Sequence, residues 1–548
     1  MDYTRKPDFR RGEDENFCGA GEVFREKRLK ESSEDYILPD YLPDIKKVAA
    51  VFPAATIKGR FLGSGTLEYE GEACYKVLYV AEDQTLRTAV FLTGFEDKIG
   101  NEELTEDCVE LLTPLCEGVN VRLLNPRKLN IRSQNGADVA VYKRRCYMPE
   151  LYGARTVEDE NKLQCETAEM AGMNVLCLRE TGLTLSEDLS FEAAMPTAGE
   201  LVFSFFRLVP QDCRVTEGEV QMRGTAEICC ILSAGKDAEG KEDYFCLERS
   251  LTFSQTVKNN CLHAGGVCFA ELQPEGSEFR LREDEFGQKR VVEADLTYLC
   301  DLAVFYPKNI FLMTDGFSLE RETELSTSEK EFCTLSSPLK GGFSVNETVG
   351  VDLPEEGGYR LFQCVVEPEM HLCEEGEKAT LEGTAEVLML LKDSAGAPDA
   401  RRVSLPLRFR TEIPMEGKGE ARVCCRASGT RYRLSGNRLS LDFEVDFGGY
   451  LLGKQSRRTV DTLRILPEQR KTPGKRGSIL LYYPDKDESA FAVAKKYGIP
   501  PEEPAKQLAE MPQPTKAIIS NEQKSGIRKG SNRASTGKVG ALLLSVYI

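Results

Sequence analysis

The chain has 548 residues, of which 41% are apolar and 29% charged, with a formal net charge of −18. That length exceeds what one hydrophobic core organises, so several domains are expected, and the composition excludes a disordered or fibrous chain. The acidic surplus repels phosphate backbones and excludes nucleic-acid binding for the body of the chain; only the stretch after Met511, with Lys516, Lys524, Arg528, Lys529, Arg533 and Lys538, leans basic.

The first residues, MDYTRKPDFRRGEDENF, lack the apolar stretch of a secretory signal, so no export signal is expected. No run approaches the roughly 18 apolar residues of a membrane-spanning helix, so no transmembrane segment is expected. The cysteines number 19, an odd count without a CxxC pair, and several (Cys74, Cys229, Cys230, Cys424, Cys425) lie inside strand-like runs. They read as reduced core residues.

Residues 1–29 read as an N-terminal extension. Beyond it, one pattern occurs three times: LEYEGEACYKVLYV from Leu67, VQMRGTAEICCIL from Val220 and TLEGTAEVLMLL from Thr380. Each is centred on a glycine (Gly71, Gly224, Gly383) with an alanine two positions later (Ala73, Ala226, Ala385). A proline lies 28, 28 and 29 positions before the glycine (Pro43, Pro196, Pro354). A polar turn follows, then a second strand carrying Phe95, Phe253 or Phe409, which is a hairpin pattern. Later segments alternate apolar and polar residues, most cleanly Leu439, Leu441, Phe443, Val445 and Phe447, as half-buried strands do. Their counterparts begin at Lys128 and Arg290.

The expected fold is therefore mainly β: three tandem sandwich-like repeats at residues 30–150, 170–310 and 330–455. The strand glycine reads as a site of close backbone approach rather than a ligand contact. Asp40 and Asp44, in LPDYLPDI, read as a rigid solvated turn rather than a metal site.

Residues 467–477, rich in Pro, Gly and basic groups, read as a linker. Over 478–520 a strand (SILLYY) is followed by a helix capped by Ser489, carrying Ala490, Val493, Ala494 and Tyr497 on one face and ended by Gly498. A second helix starts at Pro501, and Ala517–Ile519 is expected to return as a strand, giving βααβ. Residues 521–548 read as a basic, flexible tail. Its apolar end, ALLLSVYI, fits an aggregation-prone terminus, a partner-docking strand or an unrepresentative end.

His263 and His371 are the only histidines, and neither has a partner at triad or ligand spacing. HExxH, Cys/His zinc and phosphate-loop patterns are absent, so no catalytic residue, metal or cofactor is expected.

With LPDYLPDI and EGEACYKVLYV on the page, the chain resembles the SPOCS domain of spore-coat and spore-envelope proteins of endospore-forming clostridia. DESAFAVAKKYG, from Asp487 to Gly498, is similar to a LysM domain, with Phe491 at the usual tryptophan. The resemblance implies a LysM groove near Asp485, Asp487, Glu488, Ser489 and Lys516 over a core that includes Phe491, Val493 and Tyr497. It also implies a non-enzymatic scaffold of the spore envelope, made in the mother-cell cytoplasm and placed at the forespore surface by contacts with morphogenetic proteins. The alternative is a glycan-binding protein that holds peptidoglycan or N-acetylglucosamine polymer through the LysM.

Overall fold

The computed structural model describes residues 9, 14–154, 162–236, 242–354, 358–375, 378–394, 396–414, 418–470, 479–482, 488–510 and 542–545. The protein is mainly β. Long strands come in groups of six, each group forming two three-stranded antiparallel sheets.

In the first unit β1 (Cys18–Ile37), β6 (Lys128–Cys146) and β5 (Val109–Asn125) form one sheet in the order β1-β6-β5. The meander β2 (Ile45–Gly63), β3 (Thr66–Ala81) and β4 (Leu86–Gly100) forms the other. A short strand, β7 (Glu150–Tyr152), leads to the second unit. There β8 (Leu163–Ser190), β13 (Lys289–Ser318) and β12 (Val267–Glu283) lie in the order β12-β13-β8, beside the meander β9 (Leu201–Thr216), β10 (Glu219–Lys236) and β11 (Glu242–Lys258). In the third, β14 (Arg321–Gly350), β19 (Arg438–Arg470) and β18 (Lys418–Ser435) lie in the order β14-β19-β18, beside the meander β15 (Arg360–Glu375), β16 (Lys378–Lys392) and β17 (Pro398–Pro414). Each group thus has its last strand between its first and fifth, and its second to fourth in sequence order.

Alternation explains how the two sheets of a unit meet. Ala73, Tyr75, Val77 and Tyr79 pack on Leu129 and Ile131; Ala226, Ile228 and Cys230 pack on Val292, Ala294 and Leu296; Ala385, Val387 and Met389 pack on Leu439, Leu441 and Phe443. The polar residues between them face outward, as a period of two requires.

The central meander strands then depart from alternation. From Leu78 to Ala81, Cys230 to Ser233 and Leu388 to Leu391, consecutive residues are buried, so both faces of the strand end are covered. The second face carries Leu78, Ile231 and Leu390, which meet in one cluster with Phe52, Phe203 and Tyr244. On the other sheets, Ala140, Ala303 and Leu452 meet likewise with Tyr142, Phe305 and Tyr450. The units therefore share two apolar clusters in addition to their own cores. Strand β7 also pairs in parallel with Thr462–Arg464 of β19, fastening the segment after the first unit to the last.

The strand glycines serve close packing. Gly71 is opposite Phe95 and Gly224 opposite Phe253. A Cβ at Gly71 would lie 2.3 Å from the Phe95 ring and 2.7 Å from the Thr56 carbonyl oxygen; at Gly383 it would lie 1.8 Å from that of Glu369. Ala73, Ala226 and Ala385 are fully buried.

Several boundaries differ from the sequence expectation. Strand β1 begins at Cys18, inside the stretch read as an extension, because its alternating charges suit an edge strand paired only to β6 and give little apolar signal. Strands β8, β13, β14 and β19 likewise extend beyond 170, 310, 330 and 455. Residues 467–470, read as linker, lie in β19, where Arg470 stands opposite Arg321 of β14.

Gly71→Ala is expected to lower stability by about 2–3 kcal/mol, since the added methyl meets a ring and backbone together. Gly94→Ala, where a Cβ meets nothing within 4 Å, should change it by less than about 0.5 kcal/mol. Denaturant unfolding of the two variants checks the contrast.

Candidate functional site

The LPDYLPDI segment connects β1 to β2 and folds around one side chain. Arg127, in the β5–β6 turn, donates to the carbonyl oxygens of Leu38 (3.2 Å), Pro39 (3.0 Å) and Leu42 (3.2 Å) and to Asp44 Oδ1 (2.6 Å). Asp40 lies 3.6 Å from the same guanidinium. Both carboxylates thus face a cation, which is the chemistry of a clasped turn and not of a metal site. The Pro43 carbonyl accepts from the Tyr79 hydroxyl at 3.1 Å. Leu38 and Ile45 anchor the ends in the core, while Ile37 and Tyr41 remain 72% and 85% exposed.

The corresponding turns are simpler. Arg290 donates to the Glu192 carbonyl at 2.7 Å, and Asn437 to that of Leu353 at 3.0 Å. Pro196 and Pro354 are exposed beside them.

Where the three larger sheets meet, charged groups that no sequence pattern announced come together. Arg422 of β18 donates to Thr113 of β5, to Glu271 of β12 (3.5 Å) and to Asp138 of β6 (3.1 Å). Thr113 in turn donates to Glu271 at 2.6 Å. Nearby, Asp301 accepts from Arg179 at 2.7 and 2.6 Å and from Gln273 at 2.9 Å. The Gln273 side-chain oxygen accepts the Ile57 N–H at 2.9 Å. The Arg422 contacts, the Thr113–Glu271 bond and the Ile57–Gln273 bond join residues from different units, whereas Asp301, Arg179 and Gln273 all belong to the second.

Glu271 keeps 27% of its side chain open, although protein surrounds it and burial pushes its carboxyl up to about 7. Single-sequence reading missed this set, because each member looks like an ordinary surface charge on an alternating strand.

The C-terminal region is ordered strand, helix, helix, strand: β20 (Ile479–Tyr482), α1 (Ala490–Tyr497), α2 (Glu502–Glu510) and β21 (Leu542–Ser545). Ser489 caps α1 by accepting the Ala492 N–H at 3.1 Å, and Gly498 ends it in the left-handed conformation at φ 65°. Strand β20 pairs antiparallel with β21, so the apolar end of the chain supplies its partner. Ala517–Ile519, expected in that role, lie outside the described residues, as do Asp485, Asp487 and Lys516 of the expected groove. Among the groove candidates only Glu488 and Ser489 are described.

Val493 is fully buried, and Phe491 packs edge-on against Phe317 of β13 at 5.2 Å. Lys495 pairs with Asp315 at 2.5 Å. The Phe491 side chain thus docks α1 against the second unit. Among the described residues, no group of three or more His, Cys, Asp or Glu is placed to hold a metal ion, and no helix is long and apolar enough to cross a membrane.

The Glu271 carboxyl has a clear pH signature. Its folded pKa, about 7, stands above the ordinary carboxyl value, so its contribution is fully present below about pH 4.5 and is lost as pH rises through 7. Glu271→Gln should remove that dependence, gaining roughly 2–3 kcal/mol on the wild type between pH 5 and 8. Urea unfolding of both proteins at several pH values measures it, and parallel curves would contradict the burial.

No protein-family model matches the chain, and no significant match is found among curated proteins or solved structures.

Proposed function

We propose that the three six-stranded units are copies of one module, that the C-terminal region is a LysM-like domain, and that the chain is a non-enzymatic scaffold of the spore envelope. Its place is the mother-cell cytoplasm at the forespore surface, held there by morphogenetic proteins. The common strand order supports the repeat, and the capped strand-helix-helix-strand order supports the LysM-like reading. The spore assignment rests on the family resemblance.

One observation carries the scaffold reading. Among the described residues, six of the eight large exposed apolar ones, Ile37, Tyr41, Phe61, Val90, Leu92 and Leu124, belong to the first unit. Exposed apolar groups concentrated on one part of a stiff body favour protein docking there. The first unit is also the one with the arginine-clasped LPDYLPDI turn.

In the sporulating host, a fluorescent fusion is expected at the forespore surface, and the double variant Ile37→Ser, Tyr41→Ser should lose that position while remaining folded. Normal envelope assembly after gene deletion would overturn the scaffold reading. Retention of the full chain on purified peptidoglycan, with the double variant still correctly placed, would favour the glycan-binding alternative.

A further inference from the structure

A cleft of about 430 Å³ lies between the outer face of the first meander, β9 and the Pro274–Phe279 stretch of β12. That volume falls in the range of small-molecule sites, roughly 300–1,000 Å³. Its walls include Phe52, Phe203, Phe205 and Phe279. Val90 and Leu92 add to it from β4, 51% and 53% exposed on the face that alternation assigns to water.

Two cations line this space, Lys58 and Lys76, and Lys58 stands beside the Glu72 carboxylate. Lys76 Nζ donates to the Ser204 carbonyl at 3.2 Å and to Ser277 Oγ at 3.4 Å, and among the described residues no carboxylate lies within 4.0 Å of it. The two acids lining the cleft are engaged elsewhere: Glu72 lies 3.8 Å from Lys58, and Glu275 accepts the Gly182 N–H at 3.0 Å. An ammonium has three donors, so Lys76 keeps one for a ligand. Burial pulls its pKa below the ordinary lysine value, a cost that a bound anion would offset. The other meanders place Cys229 and Leu388 at the same distance from their strand glycines. A charge at this position is thus no requirement of the strand.

We propose that this cleft is a binding site for a single-tailed amphiphilic carboxylate, with its carboxylate on Lys76 Nζ and its tail along Val90, Leu92, Phe205 and Phe279. With Lys58 beside Glu72 and no arginine in the lining, Lys76 alone is left to meet an anion, which matches a monoanion better than a phosphate, which calls for several donors.

Titration calorimetry of the full chain with decanoate tests it. Wild type is expected to bind, Lys76→Met to bind at least tenfold more weakly, and decanol to bind more weakly than decanoate. Leu92→Asp, a change on an exposed position, should also weaken binding by placing an anion in the path of the tail. No heat of binding with wild type, or equal affinity in Lys76→Met with its melting transition intact, would overturn the site.

Discussion

The arrangement depends on burying the second face of three strand ends. A two-sheet sandwich covers one face of each sheet and leaves the other to water, so polar residues are normal there. In β3, β10 and β16 that face instead carries Leu78, Ile231 and Leu390, which have only each other and their neighbours to cover them. Truncating such a side chain to alanine costs about 2–5 kcal/mol in a well-packed core. Separate units would pay a comparable penalty at every one of these positions, so close association follows from the strands themselves.

The charged network plays a different part. Removing charges from water is expensive, and a hydrophobic replacement is often as stable. Arg422 with Thr113, Glu271 and Asp138, and Asp301 with Arg179 and Gln273, therefore contribute less to bulk stability than to register. The Arg422 bonds, and the bond from Ile57 to Gln273, work only when residues of different units stand at one relative height, which apolar packing alone enforces weakly.

The strands were legible where one face is apolar, as in Leu439 to Phe447, and the glycine-alanine pairs lie in β3, β10 and β16, the middle strand of each meander. The strand β1 was hidden because it is an edge with charges on both faces. The runs VLYV, CCIL and LMLL were on the page, but a continuous apolar stretch says only that both faces are covered, not by what. Arg422, Glu271 and Lys76 were invisible for a related reason: their environment is made by residues more than a hundred positions away. Local spacing carries no trace of it.

Strand β7 has a consequence for how the chain reaches this state. Its partner in β19 is synthesised more than three hundred residues later, so the first unit emerges with a short unpaired edge that stays open until β19 has been made. Non-local pairing of this kind is slow, and exposed strand edges invite wrong partners in the interval. Three residues and one parallel ladder limit that exposure: the edge is too short to template another chain, yet it locks the first and last units together once both exist. Maturation is then a closing step, with β19 acting as the latch.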